Sequence, residues 1–216
     1  MDDRPDRWKV TTHDWSIAVD RAHLATIRAN PQTYLAGGVQ HCVLEVLAYA
    51  DEEAAALGRA GAAVITRHRD GSVSVADDGR GTDTRRDDRG RMIRKPVMAT
   101  EDVRFFDAAE PPLLPDGLPR RGMSTVAALS RWLEHTNRRS AGSWTQRYHH
   151  GVPSSDLVEL PPETGTGTTV RFLLDPRLGA PTVLDAELVR GYVHLTVELR
   201  DEPGAVDGGP AAADPV

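Results

Sequence analysis

One cysteine in 216 residues leaves thiol chemistry to a single side chain, Cys42. It falls on the apolar face of a helical pattern, where a small core residue is expected rather than a nucleophile or metal ligand. Long hydrophobic runs are missing too. No stretch approaches the roughly 20 apolar residues that cross a bilayer, and Met1-Asp-Asp-Arg-Pro-Asp-Arg7 lacks the makeup of a secretory signal. These absences set the expectation of a cytoplasmic protein with no membrane partner. Positive charge is in deficit: the formal net charge is −6 and the isoelectric point is near 5.7, which argues against strong nucleic-acid binding through a uniformly basic surface. Arg138-Arg139 is a small footprint. His149 and His150 are adjacent in a strand pattern and point to opposite faces, so no metal is assigned to them. What remains is 39% hydrophobic residues in 23.5 kDa, which suits one domain with a full core.

The most informative stretch is Gly71-Ser-Val-Ser-Val-Ala-Asp-Asp-Gly-Arg-Gly81. Polar and apolar residues alternate from Ser72 to Val75 after the turn-forming Asp70-Gly71, so residues 62–66 and 72–77 read as two arms of a β-hairpin. The second arm delivers Asp77 to a sheet end. Gly79 and Gly81 lack Cβ, which allows positive φ and lets a flat ligand or another backbone come close. A carboxylate beside such a turn can accept a hydrogen bond from the exocyclic amine of a base. Standing alone, the motif is read more plainly as a hairpin ending in a solvated turn.

Upstream, Val39, Cys42, Val43, Val46, Leu47 and Ala50 recur at helical spacing, while Glu45, Tyr49 and Glu53 follow one another at i, i+4 and i+8. One face is core, and the next carries two carboxylates and a phenol. A lone glutamate on such a helix is commonly solvated. The order of the motifs says more than any one residue.

Six blocks, in order, carry a resemblance. Ile27-Arg-Ala-Asn-Pro-Gln-Thr-Tyr34 is similar to "RKRPGMYIG", and Gln40-His-Cys-Val-Leu-Glu45-Val-Leu-Ala-Tyr49-Ala-Asp-Glu-Glu53-Ala to "HHLVYEVVDNSIDEA". Ser72-Val-Ser-Val-Ala-Asp77-Asp-Gly-Arg-Gly81 is similar to "VSVQDDGRGIP", and Ser124-Thr-Val-Ala-Ala-Leu-Ser-Arg-Trp-Leu-Glu134 to "SVVNALSEWLE". Tyr148-His-His-Gly-Val-Pro153 parallels "YEHGVP", and Thr166-Gly-Thr168-Thr-Val-Arg-Phe172 parallels "TGTTVRF". Over most of residues 27–201 the chain thus resembles the ATP-binding domain of the DNA gyrase B subunit and its topoisomerase IV relative. These belong to the GHKL ATPase superfamily shared with histidine kinases and mismatch-repair ATPases.

The resemblance implies a Bergerat-type fold with ATP or ADP as ligand. It makes Glu45 the counterpart of the general base that activates water, and Asp77 the counterpart of the adenine-amine acceptor, assisted by the Thr168 hydroxyl. Glu53 and Arg80 match a pair that bridges the helix and the Gly79–Gly81 turn, which could equally be an ordinary surface salt bridge. Met98 takes the position of an apolar residue that packs on the adenine, with core packing as the alternative.

Departures from the family pattern are as informative. Tyr49 stands where the family has the asparagine that coordinates magnesium, and a neutral phenol is a poor ligand for an ion that wants hard oxygens in octahedral array, so the metal site is expected to be lost. Asp116-Gly-Leu-Pro-Arg-Arg-Gly122 stands where the family's phosphate lid reads "GGLHGVG". Gly117 and Gly122 are kept, but Asp116 and Arg120 replace glycines and Pro119 removes an N–H donor. Arg120 and Arg121 could contact phosphate directly, or the segment is an ordinary surface loop. Thr145 falls where the family has the arginine that binds aminocoumarin antibiotics, which implies weak binding of novobiocin.

The expected elements are helix 13–29, helix 38–58, hairpin 61–77, an irregular charge run 78–90, helix 91–106, loop 107–121 and helix 122–134. Strands near 134–141, 143–150, 156–160 and 166–174, a short helix near 183–191 and a strand over 193–200 complete them. They compose an α/β (α+β) two-layer sandwich with a mixed, mostly antiparallel sheet over 13–201, between an N-terminal tail, 1–12, and a disordered C-terminal tail, 202–216. At this length no transducer or DNA-cleavage module is expected, hence no topoisomerase activity from these residues alone. Two functions stay open: an adenine-nucleotide-binding domain with weak or absent hydrolysis, and a non-catalytic interaction or drug-binding scaffold with a gyrase-family or other protein partner.

Overall fold

The computed structural model describes residues 13, 18–86, 88–90, 92–106, 108–139, 142–161 and 163–203. The N-terminal tail expected over 1–12, and residues 204–216 of the expected C-terminal tail, lie outside the described residues. Glu202 is held against the sheet: its N–H donates to the Arg67 carbonyl at 2.9 Å and its carboxylate accepts the Arg69 N–H at 2.9 Å.

The first helix, α1 (Arg21–Ala29), is shorter than expected. The Asp20 side chain accepts the His23 N–H and caps it there. A single turn, α2 (Pro31–Tyr34), leads to the long helix α3 (Gly38–Leu57), whose apolar residues are buried nearly all round. Gly58 closes α3 in the left-handed region at φ 65°, its N–H reaching the carbonyls of Ala54 and Ala55. The expected hairpin follows as β1 (Gly61–Arg67) and β2 (Val73–Asp77), antiparallel with Val64 opposite Ala76.

Three segments depart from expectation. The charge run 78–90 contains a strand, β3 (Thr84–Arg86), which pairs with β4 (Met92–Arg94) as a separate two-stranded ribbon. The helix expected over 91–106 is therefore absent among the described residues of that segment. After β4, Pro96 disfavours helix at the residue before it and removes an N–H, and the chain continues as isolated turns in which the carbonyls of Pro96 and Asp102 each accept two N–H groups. The helix expected over 122–134 stops early: α4 is Met123–Leu129, and strand β5 (Ser130–Arg138) starts at once, because Leu133, His135 and Asn137 alternate inward with period two.

The remaining strands are β6 (Ser143–His149), β7 (Val152–Pro153), β8 (Val158–Leu160), β9 (Gly167–Leu174) and, after the short helix α5 (Ala186–Val189), β10 (Leu195–Asp201). The sheet order is β10-β1-β2-β9-β5-β6-β7, with β8 also on β6, and only the β1–β10 pair is parallel. α3 packs on β1, β2 and β10, and α4 on β5, β6 and β9. Ile65, Val75, Val170, Phe172 and Leu133 from the sheet meet Val43, Leu44, Leu47, Val126 and Leu129 from the helices in one core. This is the expected α+β sandwich with a mixed, mostly antiparallel sheet. Its topology brings the end of β2 and the start of β9 together, which puts Asp77 beside Thr168.

Candidate functional site

Asp77 ends β2 with its carboxyl turned into the start of β9. Oδ1 accepts the N–H of Gly79 at 2.9 Å and of Thr168 at 3.2 Å, and Oδ2 accepts the Thr168 hydroxyl. Burial raises the pKa of Asp77, and the hydrogen bonds from the Thr168 hydroxyl and the two N–H groups offset that only in part. The glycines of this turn are required by space. A Cβ on Gly79 would lie 2.9 Å from both the Asp77 carboxylate and the Glu53 side chain, and one on Gly81, at φ 82°, would lie 2.5 Å from Asn137 Oδ1. Asn137 in turn grips Thr82, accepting its N–H at 2.6 Å.

Glu53 reaches the same turn from α3. Its carboxylate takes Arg80 Nε at 2.5 Å, Nη2 at 3.0 Å and the Arg80 N–H at 3.2 Å, and these bonds hold Glu53 below its usual range. The helix and the glycine turn are thereby bridged, with the Arg80 guanidinium largely exposed. Met98 is fully buried within the common core.

Glu45, further up α3, is completely buried. Its Oε1 accepts the Arg121 N–H and its Oε2 the Gly122 N–H at 3.1 Å, while His41 Nε2 lies 3.7 Å away and Arg120 Nε 4.0 Å away. Burial raises its pKa, offset in part by the Arg121 N–H and by the charges of His41 and Arg120. His41 Nδ1 is 2.8 Å from Asp116 of the same loop. The segment 116–122 is therefore folded down onto α3.

Tyr49, one turn beyond Glu45, donates its hydroxyl to Asp102 at 2.7 Å. Burial raises its pKa, and the nearby Asp102 charge adds to that. Arg104 binds both oxygens of Asp102, at 3.0 and 2.8 Å, and also reaches Glu52. Arg120, 5% exposed, forms a two-pronged pair with Glu52 at 2.5 and 3.1 Å and lies over the rings of Tyr49 and Phe105 at 4.6 and 4.1 Å. Burial pushes Asp102 up, but the bonds from Arg104 and Tyr49 outweigh it and hold the group below the usual carboxylate range. Gly117 and Gly122 both take positive φ, 77° and 94°.

Of the residues expected at the site, Asp77, Gly79, Arg80, Gly81, Glu53 and Thr168 come together at one end. Glu45, Tyr49 and Gly122 come together with one another at a second. Sequence reasoning missed Glu52, Asp102, Arg104 and Phe105. Glu52 carried a signal: it stands seven residues after Glu45 and three after Tyr49, closer to their helix face than Glu53 is. Asp102 and Arg104 carried none, since only the fold brings them to α3. An open cleft lined by Arg131, His149, His150, Asp175, Pro176 and Arg177 lies at the opposite end of the sheet from Asp77 and contains none of these residues.

A sandwich with an aspartate–glycine turn at one sheet end, and a long helix presenting a buried glutamate beside it, has the makeup of a GHKL-type nucleotide-binding domain. No protein-family model matches the chain. Among curated proteins it is similar to the DNA gyrase B subunit of Mycolicibacterium smegmatis, 34% identical over 83% of this chain and 28% of that protein. It is 33% identical to the DNA gyrase B subunit of Archaeoglobus fulgidus and 31% identical to that of Thermotoga maritima, each over 77% of this chain and 27% of the relative. The chain is a divergent gyrase-B-like domain, and it spans just over a quarter of the length of the curated relatives it matches.

Proposed function

We propose that this domain binds an adenine nucleotide and hydrolyses it weakly or not at all. The observation that carries this reading is the contrast in how the two key carboxyl groups are held. Asp77, only half-buried, keeps a second lone pair on Oδ2 beside the Thr168 hydroxyl, which suits an incoming adenine amine. Glu45, the counterpart of the general base, has the raised pKa that such a base needs, but both its oxygens accept loop N–H groups.

The residues at the magnesium position do not fit that ion. Tyr49 offers a phenol whose proton is committed to Asp102, and the Asp102 oxygens are committed to Arg104. Phosphoryl transfer rests on positioning and charge neutralisation of the phosphates, so this loss weighs on turnover more than on base recognition. Calorimetric titration with ADP, with and without magnesium, tests the reading. Binding that is indifferent to magnesium and falls in Asp77→Asn supports it, and absence of heat with any adenine compound sinks it. If the wild type shows turnover that Glu45→Gln leaves unchanged, the role given to Glu45 is wrong.

A second reading, a non-catalytic interaction or drug-binding scaffold with a gyrase-family partner, is favoured by the same self-contained cluster of Tyr49, Asp102, Arg104, Glu52 and Arg120. Novobiocin titration separates the two, since Thr145, the counterpart of the drug-binding arginine, is hydrogen-bonded to Thr136 at 3.1 Å and offers no guanidinium.

A further inference from the structure

The loop from Gly117 to Gly122 has no backbone donor to spare. Gly117 N–H goes to the Leu114 carbonyl at 2.8 Å, Leu118 N–H to the Asp116 carboxylate at 3.0 Å, and Arg120 N–H to the Pro112 carbonyl at 2.8 Å. Pro119 has none. Arg121 and Gly122 donate to the two oxygens of Glu45. Of the loop's two arginine side chains, the Arg120 guanidinium is held by Glu52, while that of Arg121 is tied to the Phe106 carbonyl by Nη1 at 3.2 Å. A phosphate arriving here finds the loop's consecutive N–H groups and the Arg120 fork, its usual kinds of partner, already accepted by this chain's own oxygens.

Space and the pairing of side chains act in the same direction. The Arg120 guanidinium is stacked over Tyr49 and Phe105 and almost wholly buried, with its Nε unpaired 4.0 Å from Glu45. A Cβ on Gly122 would touch both the Tyr49 hydroxyl and the Asp102 side chain at 3.2 Å, so no room is left between the loop and the Tyr49 ring. Glu45, Glu52 and Asp102 face the guanidinium groups of Arg104 and Arg120, and Asp116 is paired with His41, so the charged groups of this end are already matched with one another.

We infer that the ligand of this domain is an adenine nucleoside or its monophosphate, selected against triphosphates by the closed loop and the Tyr49–Arg120–Glu52 cluster. This rests on the adenine-binding reading above. In that ligand class the base is held at Asp77 and Thr168 and the ribose end faces the closed loop, so affinity does not rise with phosphate count. A triphosphate gains its extra contacts only by pulling Arg121 and Gly122 off Glu45.

The test is calorimetric titration of the intact chain with adenosine, AMP, ADP and ATP at fixed ionic strength, with and without magnesium. Adenosine or AMP is expected to bind at least as tightly as ATP in both conditions. ATP binding more tightly than both adenosine and AMP in either condition overturns the inference and leaves the adenine reading standing; no binding of any of the four overturns both. In the double variant Tyr49→Asn, Arg120→Gly, which reopens the loop, the ratio of ATP to adenosine affinity is expected to rise at least tenfold. An unchanged ratio in a variant whose circular dichroism and melting remain cooperative counts against the cluster as its cause, and the wild-type ranking decides the inference where that variant does not fold.

Discussion

Asp77 and Glu45 are both carboxyl groups whose acidity burial weakens, yet they are satisfied in opposite ways. Asp77 is held by the scaffold: its partners are the turn that follows its own strand and the start of a neighbouring strand, so its geometry is fixed as soon as β2 and β9 pair. Glu45 is held by a loop more than seventy residues away, whose two N–H groups hydrogen-bond its two oxygens. The first arrangement is a preorganised acceptor, and the second is a closed door. On the proposed function, the difference teaches that a nucleotide site can keep its base-recognising end as part of the sheet while its phosphate end is turned into packing.

The sharpest way to break that comparison is to remove the acceptor. Asp77→Asn keeps the shape and an acceptor for the two N–H groups, but turns an amide toward the base amine. It is expected to weaken binding of adenine compounds by about 2 to 3 kcal/mol, roughly 30- to 150-fold, as read by calorimetry. Arg120→Ala, at the other end, is expected not to weaken binding of adenosine. If the two variants lose affinity equally, the ends are not separable as described.

Next in size is a stability effect confined to the closed end. Arg120→Ala removes a buried guanidinium that Glu52, Tyr49 and Phe105 all contact. Because Glu52 is partly exposed and can return to water, the expected loss is about 2 kcal/mol rather than the full cost of orphaning a buried charge. Chemical denaturation measures it. Arg80→Ala, whose pair with Glu53 is mostly solvated, should lose less.

How much of this was legible in the sequence follows the same division. At the Asp77 end the strand, the carboxylate and the two glycines were readable because they are local and periodic, while Thr168 and the Glu53–Arg80 bridge were placed there by the family resemblance. A mixed, mostly antiparallel sheet could be expected from a series of short alternating segments, but not the order of its strands. The closed end was not readable, since Asp102 and Arg104 reach α3 only through the irregular path after Pro96, where Met92, Ile93, Val97 and Met98 suggested a helix that the proline forbids. The β3–β4 ribbon was hidden by its composition. Thr84-Arg85-Arg86 looks like a solvated charge run, and only pairing with Met92–Arg94 makes it strand.

A pH series sharpens the contrast further. Burial pushes the His13 imidazole down to about 4, against the nearby Asp102 charge that raises it, and its Nδ1 lies 3.0 Å from the Thr100 hydroxyl. Below about 6.5 the unfolded chain takes up a proton that the folded one refuses, so stability falls as pH drops from about 6.5 to about 4. Asp102, with a depressed value, adds a further loss as pH falls below the ordinary aspartate range and through its folded value. Asp77 has the reverse sign: its raised value means that protonation on the way down to the ordinary range favours the folded state. His13→Gln is expected to flatten the acid limb of a stability–pH curve between those two limits. A limb of unchanged slope assigns it to other groups.

The smallest expected effect lies at the Glu53–Arg80 bridge, and it tests whether that pair belongs to the base end or merely decorates it. Arg80 is 59% exposed on its side chain and Glu53 27%, so screening by water limits the pair to under about 1 kcal/mol of stability. Glu53→Gln should therefore shift the denaturation midpoint little. The same carboxylate also accepts the Arg80 N–H, and the Glu53 side chain lies within 2.9 Å of where a Cβ on Gly79 would sit, so it fixes the backbone that frames Asp77. A variant with near-native stability and several-fold weaker adenosine binding would show the bridge acting through the turn. Near-native values of both would make it a surface pair, and Asp77 with Thr168 alone would then define the base end.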